Sequence, residues 1–188
     1  MAEQTETPFL TDIQTIRKRA REYLQCGPVT PDYEGNLELA LKLLNEALAT
    51  EIVCTLRYRH HYIAAQGINS ESVREEFLEH AQDELEHAMD IAERINQLGG
   101  NPKFDPADML TRSASEYVEG DNLVEMMRED LIAERIAVQT YQEMIRYFAN
   151  HDPTTRRLFE RILAKEEEHA SDMHDLLVRH EGKPMLDS

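Results

Sequence analysis

The chain has 188 residues, a length that suits one domain with a full core and leaves little room for an independent second one. It carries 37 Asp and Glu against 20 Lys and Arg, a net charge of -17, so its field attracts cations and repels polyanions, which argues against nucleic acid as a partner. Its composition, with no Trp and only 7 Gly and 7 Pro, predicts an all-α fold, and Cys26 and Cys54, lacking C-x-x-C spacing, exclude a disulfide framework, a zinc ribbon and a rubredoxin-type iron site.

Residues 1–35 read as an N-terminal extension: a polar start, MAEQTETPFL, without the cationic and apolar regions of an export signal, then a short amphipathic helix near Thr11 to Gln25 that Gly27, Pro28 and Pro31 end. The basic cluster Arg17, Lys18, Arg19 and Arg21 reads as a solvated helix face. No stretch approaches the ~20 apolar residues of a membrane span, so no membrane partner is expected and the expected location is cytoplasmic.

Residues 36–182 read as a four-helix bundle. A first long helix runs from Asn36 to Gly67, and a second opens at Ser70, as N-cap, and runs to Leu98 before Gly99 and Gly100, forming an antiparallel hairpin. The segment 99–120, with Pro102 and Pro106, is long enough to cross the roughly 42 Å of a helix of about 28 residues. A third helix starts after Asp121 and continues to about Asn150, and a fourth begins with Asp152 as cap and Pro153 in its first turn, ending near Gly182 and leaving 183–188 as a tail. Two hairpins joined by one long crossover is the connectivity of ferritin-like bundles.

Stepping by three and four along each helix exposes its buried stripe, and each stripe is interrupted by one acid. The stripes read Leu44, Leu48, Glu51, Thr55, Tyr58; then Phe77, Ala81, Glu84, Ala88, Ile91; then Leu131, Glu134, Val138, Tyr141; then Leu163, Glu166, Ala170, Met173. Each glutamate lies near the middle of its helix, so all four reach one level of the bundle. Four ionised carboxylates in a dry core cost many kcal/mol unless a cation compensates them.

Among eight histidines only His87 and His169 close a Glu-x-x-His, with Glu84 and Glu166, and residues three apart share a helix face. Four carboxylates and two neutral imidazoles balance two divalent cations, and this oxygen and nitrogen donor set suits iron, with manganese or zinc as alternatives. Glu51 precedes Glu84 by 33 residues and Glu134 precedes Glu166 by 32, and Tyr58 and Tyr141 each follow a leading glutamate by seven, a pattern that predicts a pseudo-twofold site. His60 and His61 read as hydrogen-bonded structural residues. His80, one turn before Glu84, is placed to support a ligand.

Over residues 36–180 the chain resembles the bacterioferritin and ferritin-like family through Leu44-Asn45-Glu46-Ala47-Leu48-Ala49-Thr50-Glu51, Asp83-Glu84-Leu85-Glu86-His87, Asp130-Leu131-Ile132-Ala133-Glu134 and Glu166-Glu167-Glu168-His169. The resemblance implies that Glu84 and Glu166 bridge two metal ions, while Glu51 with His87, and Glu134 with His169, complete the two positions. Tyr58 matches a tyrosine beside the family's centre and is a candidate redox or hydrogen-bonding residue. Leu85 stands where bacterioferritins carry a methionine that binds haem, so no haem is expected, and Met89 reads as a core residue.

The fifth helix of the 24-mer shells is missing, as in Dps-like 12-mer shells with an intrachain centre, so the expected assembly is a homo-oligomeric shell of one of these sizes. Some of those proteins pair cysteines beside the centre; here Cys54 reads as a buried inert thiol and Ala137 stands opposite. The leading expectation is a ferroxidase that takes Fe(II) and O2 or H2O2 and serves iron storage. The acids Glu75, Glu76, Glu79, Asp83 and Glu86 could bind surplus iron on an inner surface or form a solvated face. The alternatives are a non-storage di-iron oxidase or peroxidase, a DNA-protecting Dps-like shell protein, and a helical interaction module.

Overall fold

The structure, a computed structural model, describes residues 10–22, 24–67 and 70–181. In chain order it contains α1 (Ile13–Glu22), a single 3-10 turn (Leu24–Cys26), α2 (Leu37–Ala64), α3 (Ser70–Gln97), α4 (Met109–Arg112), α5 (Leu123–Phe148) and α6 (Pro153–Glu181). Among the described residues there is no strand, and no helix is long and apolar enough to cross a membrane.

The helix starts follow local chemistry. Asn36 caps α2 by accepting from Leu39 N at 3.0 Å, Asn122 caps α5 by accepting from Val124 N and Glu125 N, and Asp152 accepts from Thr155 N at 2.9 Å ahead of Pro153. Ser70, expected as a cap, is instead the first residue of α3, its hydroxyl donating to Gly67 O at 2.9 Å. Gly99, at φ 77°, turns the chain out of α3 in the left-handed conformation that a Cβ disfavours.

The hairpins α2/α3 and α5/α6 pack through two apolar clusters with a polar layer between them. One cluster gathers Leu44, Leu48, Ile91, Ile95, Phe148 and Phe159; the other gathers Phe77, Met127, Leu131, Met173 and Leu177. Arg94, near the end of α3, reaches Asp152 at 2.9 Å and Thr155 at 2.8 Å at the start of α6, so these two helices run antiparallel.

The crossover lies along α2 and is tied to it by polar groups that advance together. Lys103 N donates to Asn45 Oδ1, Ala114 N to Thr50 Oγ1, and Arg57 Nη1 to Glu116 O, each at 2.9 Å. The crossover therefore delivers α5 to the end of the bundle where α2 finishes, and α5 runs antiparallel to α2.

The buried stripes match the predicted ones except that Val138, Leu163 and Ala170 are only half-buried, with Ile162 rather than Leu163 fully buried, and Met89 leaves the core. Met89 is 53% exposed, because it sits one position past the buried Ala88 and turns to solvent. In the extension, α1 has no buried residue; Arg19 pairs with Asp32 at 2.6 Å, while Val29 and Tyr33 pack against the bundle. The expected start (1–9) and tail (183–188) lie outside the described residues.

Candidate metal centre

All six ligand-type residues anticipated from the sequence meet in the polar layer, and each is at least nine-tenths buried. Glu51 comes from α2, Glu84 and His87 from α3, Glu134 from α5, and Glu166 and His169 from α6. They form two groups whose donor atoms all lie within 4.8 Å of one another: Glu51, Glu84, His87 and Glu166 in one, and Glu84, Glu134, Glu166 and His169 in the other. Glu84 and Glu166 belong to both.

Nδ1 of each histidine points into the layer. His87 Nδ1 is 3.3 Å from Glu51, 3.5 Å from Glu84 and 2.9 Å from Glu166; His169 Nδ1 is 3.5 Å from Glu84, 3.9 Å from Glu134 and 3.8 Å from Glu166. Two atoms bound to one ion at about 2.1 Å each are at most about 4.2 Å apart, so all six separations fit shared ions.

Glu51 Oε2, both oxygens of Glu84, Glu166 Oε1 and Nδ1 of both histidines are buried with no hydrogen-bond partner among the described residues. Orphaned buried polar atoms are rare and costly, and here they converge on two points. The donor set fits two divalent cations.

The electrostatics agree. Burial and the charge of Glu84 push the carboxyls of Glu51 up to about 8 and Glu134 up to about 7, and raise that of Glu166 well above its ordinary range. Burial also opposes ionisation of Glu84, but the two imidazoles outweigh it and hold that carboxyl well below its ordinary range. At 3.5 Å this pull is charge attraction more than hydrogen bonding. Burial works against protonating His87, and Glu51 and Glu84 overcome it, raising the ring to about 10; at His169, Glu84 and Glu134 raise it to about 9. Without cations the layer holds protons that bound metal would displace.

The tyrosines cross between hairpins. Tyr58 of α2 donates to Glu134 of α5, and Tyr141 of α5 donates to Glu51 of α2. His169 Nε2 lies 3.1 Å from Asp83 Oδ2, which holds one ring proton on Nε2, so that loss of the other frees the Nδ1 lone pair toward the layer. His80 Nδ1 is 3.1 Å from Tyr58 Oη, and its ring stacks on His169 with centroids 3.9 Å apart.

Beside the layer, Arg57 and His61, both fully buried, bind the two oxygens of Asp130 at 2.8 Å each. His61 is the hydrogen-bonded residue expected, whereas His60 comes only within 4.0 Å of Glu119, and periodicity misses Arg57, whose only signal is a cation at a buried position one residue before Tyr58. Cys54 is buried, and burial pushes its thiol well above its usual range.

Comparison with known proteins agrees with this fold. The family model of the ferritin-like domain matches residues 41–182. The nutrient stress-induced DNA-binding protein of Synechococcus sp. is 35% identical over 130 residues, covering 68% of this chain and 74% of that protein. The bacterioferritin of Desulfovibrio desulfuricans is 27% identical over 130 residues, 69% of each. The solved structure of a dodecameric thioferritin, the bacterioferritin-related protein of Bacteroides fragilis, superposes with a TM-score of 0.75 at 30% identity, over 82% of this chain and 94% of that one. The chain belongs to the ferritin-like family.

Proposed function

We propose that this protein is a ferroxidase that oxidises Fe(II) at the layer of Glu51, Glu84, His87, Glu134, Glu166 and His169 and serves iron storage. The observation that carries the reading is the convergence of six buried, unpartnered donor atoms on two points that share Glu84 and Glu166. Two Fe(II) ions are the substrates. Each gives up one electron, and O2 takes the two electrons with two protons to become H2O2; with H2O2 as oxidant the product is water.

The residues' part is geometry and charge. Glu84 and Glu166 hold both ions together, Glu51 with His87 and Glu134 with His169 complete the two positions, and the hard carboxylate oxygens favour the ferric state. Asp83 keeps His169 in the ligating tautomer. Tyr58 orients Glu134, and its place between Glu134 and His80 makes it the candidate source of a further electron.

The dodecameric Bacteroides fragilis protein supports a twelve-subunit shell for this chain. A role at DNA, which the name of the Synechococcus relative suggests, is disfavoured by the net charge of -17. Leu85 offers no axial ligand, so purified protein is expected to show no haem Soret band.

The test is anaerobic loading of metal-free protein with Fe(II), followed by air, with light scattering on the same sample. The expected result is fast oxidation that saturates at two irons per chain, then slower uptake into a large hollow assembly. Oxidation no faster than in buffer would sink the ferroxidase reading. A small oligomer that stops at two irons would remove storage and leave di-iron redox catalysis.

A further inference from the structure

His80 carries a ring nitrogen that the centre does not use. The residue is 2% exposed, and its Nδ1 meets Tyr58. Its Nε2 points the opposite way, 3.8 Å from Glu76 Oε2 and 3.7 Å from Asp172 Oδ2, beyond hydrogen-bond distance from either. A nearly fully buried imidazole thus aims a nitrogen that has no hydrogen-bond partner among the described residues between carboxylates from α3 and α6. Both acids are about two-fifths exposed, and among the described residues neither has a lysine or arginine within ion-pair distance.

The three donor atoms lie within 4.8 Å of one another, and both distances from Nε2 are below the limit of about 4.2 Å for ligands sharing an ion. One neutral imidazole and two carboxylates balance one divalent charge. The mixed nitrogen and oxygen donors suit Fe(II), Mn(II), Co(II) or Zn(II) better than Mg(II) or Ca(II), which prefer oxygen alone.

We propose that Glu76, His80 and Asp172 form a third divalent-cation site, open to solvent and joined to the buried centre through His80. A cation on Nε2 fixes the ring proton on Nδ1, which then donates to Tyr58 Oη, while the Tyr58 hydroxyl donates to Glu134. Loading the outer site therefore organises the tyrosine and the lone glutamate of one half of the centre. Its role, as a staging point for Fe(II) bound for the His169 position, rests on the ferroxidase reading; the binding itself does not.

The test is an anaerobic Co(II) titration of the metal-free full chain, read by equilibrium dialysis with metal analysis and by the visible Co(II) spectrum. Wild type is expected to bind three Co(II) per chain, and the half-exposed double substitution Glu76→Gln with Asp172→Asn is expected to bind two with unchanged circular dichroism. Glu84→Ala is expected to keep the outer ion. Equal stoichiometry in wild type and the double variant up to millimolar Co(II) overturns the site, as does a Glu84→Ala protein that binds none. Wild type that binds three Co(II) but does not oxidise Fe(II) leaves this site standing and removes the ferroxidase reading. In the oxidation assay the double variant is expected to raise KM for Fe(II) several-fold at constant kcat; an unchanged KM removes the staging role.

Discussion

The two halves of the metal layer are built from matching residues and set in different surroundings. Glu51, His87 and Tyr141 on one side answer to Glu134, His169 and Tyr58 on the other. Yet Tyr141 packs against Phe159, with centroids 5.3 Å apart, and the fully buried Ile162 closes that side, whereas Tyr58 meets His80 and, beyond it, Glu76 and Asp172. Eighty-two residues separate Glu84 from Glu166, and the same interval carries His80 to Ile162 and Glu76 to Leu158. Behind Tyr141 lies hydrocarbon, and behind Tyr58 a polar path to the surface. A repeated helical frame can thus supply two equivalent ligand sets while single substitutions outside them make the halves unequal.

The harshest way to break the comparison is to remove what the halves share. Glu84→Ala should abolish fast Fe(II) oxidation, by more than the ~100-fold upper end of the loss from deleting an outer partner of a metal ligand. Helicity by circular dichroism should be retained, and a wild-type rate in this variant would take Glu84 out of the centre. Breaking the apolar side alone should cost stability: Ile162→Ala leaves a cavity in the core and should lower unfolding free energy by about 2–5 kcal/mol in urea denaturation. A loss well under 1 kcal/mol would mean that this side is not close-packed.

The tyrosines sharpen the difference. Tyr58→Phe leaves both Glu134 and His80 Nδ1 short of a partner, whereas Tyr141→Phe strands only Glu51, at roughly 1–3 kcal/mol per orphaned buried group. Tyr58→Phe should therefore be the more destabilising and the slower in oxidation, and equal effects would show that His80 adds nothing.

A further effect is common to both halves. In the metal-free fold Glu51 holds its proton to about 8, Glu134 to about 7, His169 to about 9 and His87 to about 10, all above their ordinary values. Raised folded values mean that the folded chain binds more protons than the unfolded one. This contribution is fully present below the ordinary values and is lost as pH rises through the folded ones. Metal-free protein should melt at progressively lower temperature from about pH 5 to about pH 10, while Co(II) affinity, which competes with those protons, should rise. Melting that is flat across that window would show that the layer is not protonated.

Much of the bundle and its centre is legible in the residues alone, and the reason is periodicity. A helix turns sequence spacing into a face, so the interruption of each stripe at Glu51, Glu84, Glu134 and Glu166 announces a shared polar level, and the two Glu-x-x-His pairs mark where nitrogen joins oxygen. The same rule applied loosely puts Met89 in the core, where an error of one position turns a side chain to solvent. Spacing and composition alone are enough to read the four long helices, their connection by one long crossover, and the six residues at mid-height. Packing between helices is what brings Tyr58 to Glu134 and Tyr141 to Glu51, sets Asp83 against His169, lets Arg57 and His61 share Asp130, and joins Asp172 of α6 to Glu76 and His80 of α3. Each of these contacts except the pairing of Glu76 with His80 crosses between helices, and the rotation and register of one helix against another come from how the apolar clusters pack, which no period within a single helix encodes.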